Sequence, residues 1–332
     1  MSTRIEPQLT FLDAIRAALR DALRADPSVV LLGEDIGVYG GAFGVTRGLI
    51  AEFGEKRVRD CPISEAATVG VAVGAAMVGL RPVAEIMFMD FISLAVDALT
   101  NHAAKINYMF NGQYHVPMVV RAPMGAGRGY GPSHSQSLLA WFAHVPGIKV
   151  VAPASVPDAY SLLRAAIADP NPVLFLEHKQ LYSLVAQNVV LTDEDRLGTA
   201  RVVREGKDLT IISMAQGVGI AREAAGVLSA CGVETEIVDV RTVRPLDTAT
   251  VLAACAKTGR AIVLTEEYPF CSVASELAAT IQEHCWSSLK APVARVTGED
   301  TSIPCALAME GAWLPTKEKI IERARCMGFR VE

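Results

Sequence analysis

Hydrophobic periodicity in this chain switches repeatedly between a helical repeat and short β-branched runs, and that alternation restricts it to folds in which helices cover a largely parallel sheet. Thr10 to Ala25 carries apolar residues at helical spacing behind a threonine cap, and Val29 to Gly33 follows as a short strand. Helices are expected over Thr68 to Gly79, Asp90 to Tyr108 and Ser155 to Ala168, with strands over Pro82 to Met87, Val116 to Ala122, Lys149 to Ala152 and Val173 to Glu177. A second alternation starts at Leu209, with strands over Leu209 to Met214, Glu234 to Asp239, Arg260 to Glu266 and Ala291 to Thr297. Its helices cover Gly219 to Ala230, Ala249 to Lys257 and Pro315 to Met327. Between the two alternations, Gln187 to Glu205 reads as a linker with acidic Asp193-Glu-Asp195. The expected organisation is an α/β domain over 1–186, a linker over 187–206 and a smaller α/β domain over 207–332.

Composition narrows the function classes. The 332 residues are 51% hydrophobic and 20% charged, which describes a folded globular chain with ample core. A net charge of -5 without a Lys/Arg cluster argues against nucleic acid or an anionic membrane as the main partner. No apolar run reaches the ~18 residues of a membrane span, and the N-terminus lacks the basic-then-apolar pattern of a secretory signal, so a cytoplasmic address is expected. Seven cysteines without Cys-x-x-Cys spacing read as reduced, mostly buried thiols, and no pair of histidines has metal-ligand spacing.

Glu65 heads a long run of small and apolar residues that meets no basic residue until Arg81. A carboxylate removed from water without a cation either finds a donor on a ligand or stays protonated, and both outcomes are typical of active sites. An acid in the first turn of a helix beginning near Ser64 is the plainer reading, and the residues alone leave both open. Glu34-Asp35 follows a strand end, where ligands gather in open α/β sheets. The glycine-rich segment after Tyr39 matches neither dinucleotide nor phosphate-loop spacing. Phe91 follows a strand end too, where an aromatic ring can stack on a planar ligand or simply join the core. His134 stands between Ser133 and Ser135 in a loop with four glycines between Gly125 and Gly131, a setting that reads as catalysis rather than packing. The other histidines lack it. Around Ala166, Ile167 and Asp169, the carbonyls of a fraying helix end offer ligands for a monovalent cation, against the alternative of an exposed turn.

Six segments carry a family resemblance. Leu32-Gly-Glu-Asp35, Pro62-Ile-Ser-Glu65, Gly79-Leu-Arg-Pro82, Gly131-Pro-Ser-His-Ser-Gln136, Pro146-Gly-Ile-Lys-Val-Val151 and Val238-Asp-Val-Arg-Thr-Val-Arg-Pro-Leu-Asp247 resemble the beta subunit of the thiamine-diphosphate-dependent 2-oxo acid (pyruvate, branched-chain) and acetoin dehydrogenases, in order along essentially the whole chain. The resemblance implies a transketolase-like pyrimidine-binding domain with a parallel sheet and flanking helices, followed by a smaller transketolase C-terminal α/β domain. It implies an oxidoreductase acting on an aldehyde or oxo group with a lipoyl disulfide as acceptor. Glu65 would bond a pyrimidine nitrogen of thiamine diphosphate, Phe91 would pack on that ring, and Glu34 would line the cofactor site. His134 would assist acyl transfer to the lipoyl group of an acyltransferase. Met118, Ala166, Ile167, Asp169 and Asn171 would form a potassium site.

A Gly-Asp-Gly motif for diphosphate and Mg²⁺ is absent, so the cofactor implies a partner that supplies it: an alpha subunit in an α2β2 heterotetramer. The small residues Gly70, Gly74 and Ala75 after Glu65 form a surface that another helix can approach closely. The chain departs from the family pattern after the paired Glu266-Glu267, where Tyr268-Pro-Phe-Cys-Ser272 stands in place of the usual glycines, and at Asp300-Thr-Ser-Ile-Pro-Cys305 in place of a more proline- and tyrosine-rich turn, which puts assembly contacts in question more than cofactor chemistry. A self-sufficient transketolase-like enzyme and a noncatalytic assembly subunit are the alternatives. The first is opposed by the missing motif and the second by Glu65 and His134 together. Pyruvate, a branched-chain 2-oxo acid and acetoin stay open as substrates.

Overall fold

Strands that are buried on both faces need uninterrupted apolar side chains, and the parallel strands of this molecule have them. The computed structural model describes residues 4–331, which pack as two units. The first comprises the chain up to Met124 together with Trp141–Leu197, and the second comprises Gly125–Ala140 and the chain from Gly198 onward.

The first unit contains β1 (Arg4–Thr10), α1 (Phe11–Ala25), β2 (Val29–Gly33), α2 (Leu49–Phe53), β3 (Val58–Asp60), α3 (Glu65–Met77), β4 (Arg81–Glu85), α4 (Ala104–Met109) and β5 (Val119–Met124). After α5 (Leu139–Ala143), which begins in the second unit, come β6 (Lys149–Val151), α6 (Val156–Ala168), β7 (Val173–His178) and β8 (Val185–Leu191). The main sheet runs β6-β7-β5-β4-β2-β3 with every pairing parallel. Leu31 stands beside Val83 and Val83 beside Val119 in register. Every residue of β2, β5 and β7 is buried. The Thr10 hydroxyl accepts the Asp13 N–H at the start of α1, which then buries Phe11, Ala14, Ile15, Ala18, Leu19, Ala22 and Leu23 along one stripe against α6. Each large side chain fully buried this way contributes roughly 1.5–3 kcal/mol.

The second unit holds β9 (Arg201–Arg204), β10 (Leu209–Ser213), α7 (Gln216–Ala230), β11 (Thr235–Asp239), β12 (Thr242–Arg244), α8 (Thr248–Thr258), β13 (Ala261–Leu264), α9 (Val273–Cys285), β14 (Ala294–Val296), α10 (Leu307–Trp313) and α11 (Lys317–Cys326). Its sheet runs β14-β13-β10-β11-β9, parallel except for the antiparallel edge strand β9.

Four expectations need correction. The 187–206 stretch is not an unpaired linker, because β8 pairs antiparallel with β1 and β9 pairs with β11, leaving 192–200 between them. Asp90 to Tyr108 is not one regular helix: a 3-10 turn (Met89–Ala95) gives way to a π turn (Ala98–Ala103) before α4. The Thr100 hydroxyl bonds back to the Val96 carbonyl at 2.8 Å, the kind of intrahelical competition that disturbs regular winding. Most thiols are not buried, since Cys231, Cys271, Cys305 and Cys326 are exposed while Cys255 and Cys285 lie inside. The strand expected over Val116 to Ala122 begins at Val119 and extends to Met124. Among the described residues no helix is long and apolar enough to cross a membrane.

Candidate active site

All the parallel strands of the first unit point their carboxyl ends to one edge, and the residues just past those ends include Glu34 and Phe91. β2 stops at Gly33, where a Cβ would come within 2.9 Å of the Glu85 carbonyl, and the Gly33 carbonyl accepts the Cys61 N–H at 2.8 Å. That bond brings the segment leading to α3 alongside Glu34. The half-buried Glu34 carboxyl faces the Ser64 N–H at the mouth of α3. Burial raises its pKa, and the neighbouring Glu65 charge raises it further. Glu65 itself is the first residue of α3 and only 7% exposed. Among the described residues no cation or side-chain donor pairs with it. Two carboxylates therefore share one edge with no basic residue between them, an arrangement that a hydrogen-bonding nitrogen of a ligand would relieve.

Phe91, half-buried, ends a run of edge-on rings: Phe43 to Phe88 at 5.8 Å and Phe88 to Phe91 at 5.9 Å between centroids. Tyr182 meets Phe43 at 5.3 Å, and the Lys179 ammonium sits 5.1 Å over the Phe88 ring. Close by in the strands lies a buried ionic network that sequence reading missed. Arg121 on β5 bonds both oxygens of Glu177 at 2.7 and 2.8 Å and reaches Glu85 at 2.7 Å, and the Tyr182 hydroxyl donates to Glu177 at 2.8 Å. Burial opposes the Arg121 charge, but Glu177 and Glu85 outweigh it and hold the guanidinium firmly protonated. Burial raises the Glu85 carboxyl, with Arg121 pulling the other way. The signal was present: an arginine inside an otherwise apolar strand requires acidic partners on its neighbours.

The residues expected to bind potassium lie at the opposite edge, before β5 and β7. The Ile167 and Asp169 carbonyls accept from Arg81 at 2.9 and 3.3 Å, and the Asp169 carboxylate pairs with Lys149 and takes the Asn171 N–H. The carbonyls of Met118 and Ala166 accept the backbone N–H groups of Val173 and Asp169. These are hard oxygen donors of the right type, but Arg81 and Lys149 already supply positive charge there. The set stands apart from Glu34, Glu65 and Phe91.

His134 belongs to the second unit, as does its whole loop. Its Nδ1 lies 3.1 Å from the Ser133 hydroxyl, and its N–H closes a turn onto the Gly131 carbonyl. Ser135 and Ser137 bury hydroxyls that have no hydrogen-bond partner among the described residues. Three glutamates hold the loop's backbone. The Ala126 N–H donates to Glu266 at 2.6 Å, the Gly129 N–H to Glu310 at 2.9 Å and the Ala140 N–H to Glu267 at 3.0 Å. Glu267 also accepts the Val273 N–H at 3.0 Å, and burial pushes its carboxyl up to about 7 against those two bonds. Sequence reading weighed only the residues after Glu266-Glu267, although a pair of acids past the carboxyl end of a strand is itself a positional signal.

Comparison with known proteins bears on the whole chain. Residues 7–185 match the family described as transketolase, pyrimidine binding domain, and residues 198–320 match transketolase, C-terminal domain. The chain is 43% identical to the pyruvate dehydrogenase E1 component subunit beta-2, mitochondrial, of Oryza sativa subsp. japonica, covering 97% of this chain and 87% of that one. It is equally 43% identical to the 2-oxoisovalerate dehydrogenase subunit beta of Bacillus subtilis (strain 168), covering 94% and 96%. A solved split gene transketolase, described as an inactive beta4 tetramer, superposes with a TM-score of 0.74 at 22% identity over 96% of this chain and 98% of its own, which bears on fold alone.

Proposed function

We infer that this chain, which belongs to the family of beta subunits of the thiamine-diphosphate-dependent 2-oxo acid and acetoin dehydrogenase E1 components, contributes the pyrimidine-holding half of an active site completed by an alpha subunit. The reaction class is oxidation at an oxo group with a lipoyl disulfide as acceptor. The observation that carries the site assignment is Glu65: a carboxylate buried at the head of α3, beside Glu34, with no cation among the described residues. Such a group suits a pyrimidine nitrogen, where it holds or accepts a proton. Bound thiamine diphosphate supplies the nucleophilic carbon and the electron sink for decarboxylation.

The remaining roles follow from the chain's own side chains. Phe91 is the ring that packs on the pyrimidine, and its edge-on contact with Phe88, itself edge-on to Phe43, steadies it. His134, on a glycine-rich loop beside the Ser133 hydroxyl, assists acyl transfer from substrate to the lipoyl group of an acyltransferase. The chain has no Gly-Asp-Gly segment, and this supports placing the diphosphate and Mg²⁺ on the alpha subunit of an α2β2 assembly. The exposed face of α3, with Ala66, Ala67, Gly70, Val71 and Gly74, suits close packing of the partner. Potassium is a structural part of the proposal: each carbonyl of Met118, Ala166 and Ile167 retains a second lone pair, and melting in KCl against choline chloride tests it. Substrate is not selected by similarity, because the pyruvate and 2-oxoisovalerate relatives are equally identical. The expected cytoplasmic address is not carried by similarity either, since relatives named as mitochondrial lie in the same range.

The direct test of the site is Glu65→Gln in the complex with its alpha partner. Turnover with a dye acceptor should fall by about 10²–10⁴-fold, the usual worth of a positioned proton-transfer group, with the far-UV spectrum unchanged. Activity equal to that of the unaltered complex would remove Glu65 from the mechanism.

A further inference from the structure

The glutamates gripping the 125–140 loop come from two places in the second unit: Glu266 and Glu267 follow β13, and Glu310 lies on α10. All three spend a carboxylate oxygen on a backbone N–H of the loop, at residues 126, 129 and 140, so they bracket His134 on both sides. Neighbouring packing agrees with the bonds. Ala126 is fully buried in a small core with Ile303 and Trp313, Tyr268 packs against it, and Gly129 and Gly131 come so close to Cys305 that an added Cβ would lie 3.0 Å from its carbonyl and 2.5 Å from its sulfur. A carboxylate accepting an N–H makes a charge-assisted bond stronger than a neutral one. Glu267 is the central member, because it is 3% exposed and joins the loop's exit at Ala140 to the first residue of α9 at Val273.

We propose that Glu267, with Glu266 and Glu310, is a positioning residue for acyl transfer: this carboxylate clasp fixes the loop that carries His134, and releasing it misplaces the imidazole without touching substrate or cofactor. The inference rests on the role given to His134 above. The titratable and charged side chains on the elements around Glu267 are Arg128 and His134 on the loop, Glu266 in its own turn, Glu276, Glu283 and His284 on α9, Glu310 on α10 and Arg295 on β14. The Glu267 carboxylate is bonded to none of them, so its ionisation is governed by burial, opposed by the two N–H groups and by the neighbouring Thr265 hydroxyl.

The experiment compares Glu267→Gln, Glu267→Ala and, as a control on the exposed face of α9, Glu276→Gln, each as the complex with its alpha partner. Backbone hydrogen exchange should quicken over 126–140 in the order unaltered and E276Q, then E267Q, then E267A, by about tenfold in the last, while β10 and β11 keep their protection. The ratio of lipoyl-linked to dye-linked turnover should fall in the same order, about tenfold for E267A. An inflection near pH 7 in the lipoyl-linked rate of the unaltered complex should be missing from E267Q. Exchange over 126–140 that is the same in all four proteins would overturn the clasp. Faster exchange with an unaltered turnover ratio and pH profile would overturn its role in positioning. A complex with no cofactor-dependent turnover on any oxo acid would count against the functional reading instead, while the exchange data still decide whether the clasp exists.

Discussion

At the scale of single residues, charge inside apolar surroundings is the recurring theme, and its legibility differs from case to case. Glu65 could be singled out from the chain because a long uncharged run isolates it. The Arg121 network could not be assembled that way, since Glu85 and Glu177 lie 36 and 56 positions from Arg121 and meet it through strand register. A buried ion group of this kind adds little net stability, but removing one member strands the rest. Arg121→Met should therefore cost about 3–5 kcal/mol in urea unfolding, more than the loss of an ordinary surface pair. A cost below about 1 kcal/mol would show that the two glutamates are readily hydrated or protonated without their arginine.

At the scale of elements, the main strands were legible because burial on both faces writes itself as unbroken Val, Leu and Ile runs. Helix α9 is harder to read, because its buried stripe of Val273, Leu277, Ile281 and Cys285 is narrow and the small or polar residues on its other faces dilute the helical repeat. The edge strands β1 and β8 were hidden for a related reason: their partly exposed, alternating residues resemble a polar connection until they pair. The loop's attachment to the second unit is equally invisible along the chain, for it depends on Glu310 accepting from Gly129. Glu267 gives this element a pH signature. Burial lifts its folded pKa to about 7, above the ordinary glutamate value of about 4.5, so the folded state holds the proton more tightly than the unfolded chain. The associated stability is fully present below pH ~4.5 and is lost as pH rises through about 7, on the order of 3 kcal/mol in all. Calorimetry from pH 5 to pH 8 should show a falling melting temperature whose slope is reduced in Glu267→Gln, and parallel curves would contradict the assignment. Gly131, at a φ of +78° against the Cys305 sulfur, should not tolerate a side chain: Gly131→Ala is expected to cost about 1–3 kcal/mol by the same calorimetry.

At the scale of the whole molecule, the proposed function gives this chain half of an active site. The exposed face of α3 makes this testable without the chemistry. Gly70 and Gly74 have open space around a would-be Cβ, so replacing both by Leu should stabilise the isolated helix by roughly 0.5–1 kcal/mol each. The same double variant should fail to co-purify with the alpha subunit, because the added side chains block close approach, and normal assembly would place the interface elsewhere. The half-site assignment stands or falls on cofactor-dependent turnover of pyruvate, branched 2-oxo acids and acetoin, measured with thiamine diphosphate, Mg²⁺ and a dye acceptor for this chain alone, for its alpha partner alone and for the two together. Activity is expected from the mixture and none from either chain by itself, with the preferred substrate identifying the branch of the family. Turnover by this chain alone would contradict the assignment.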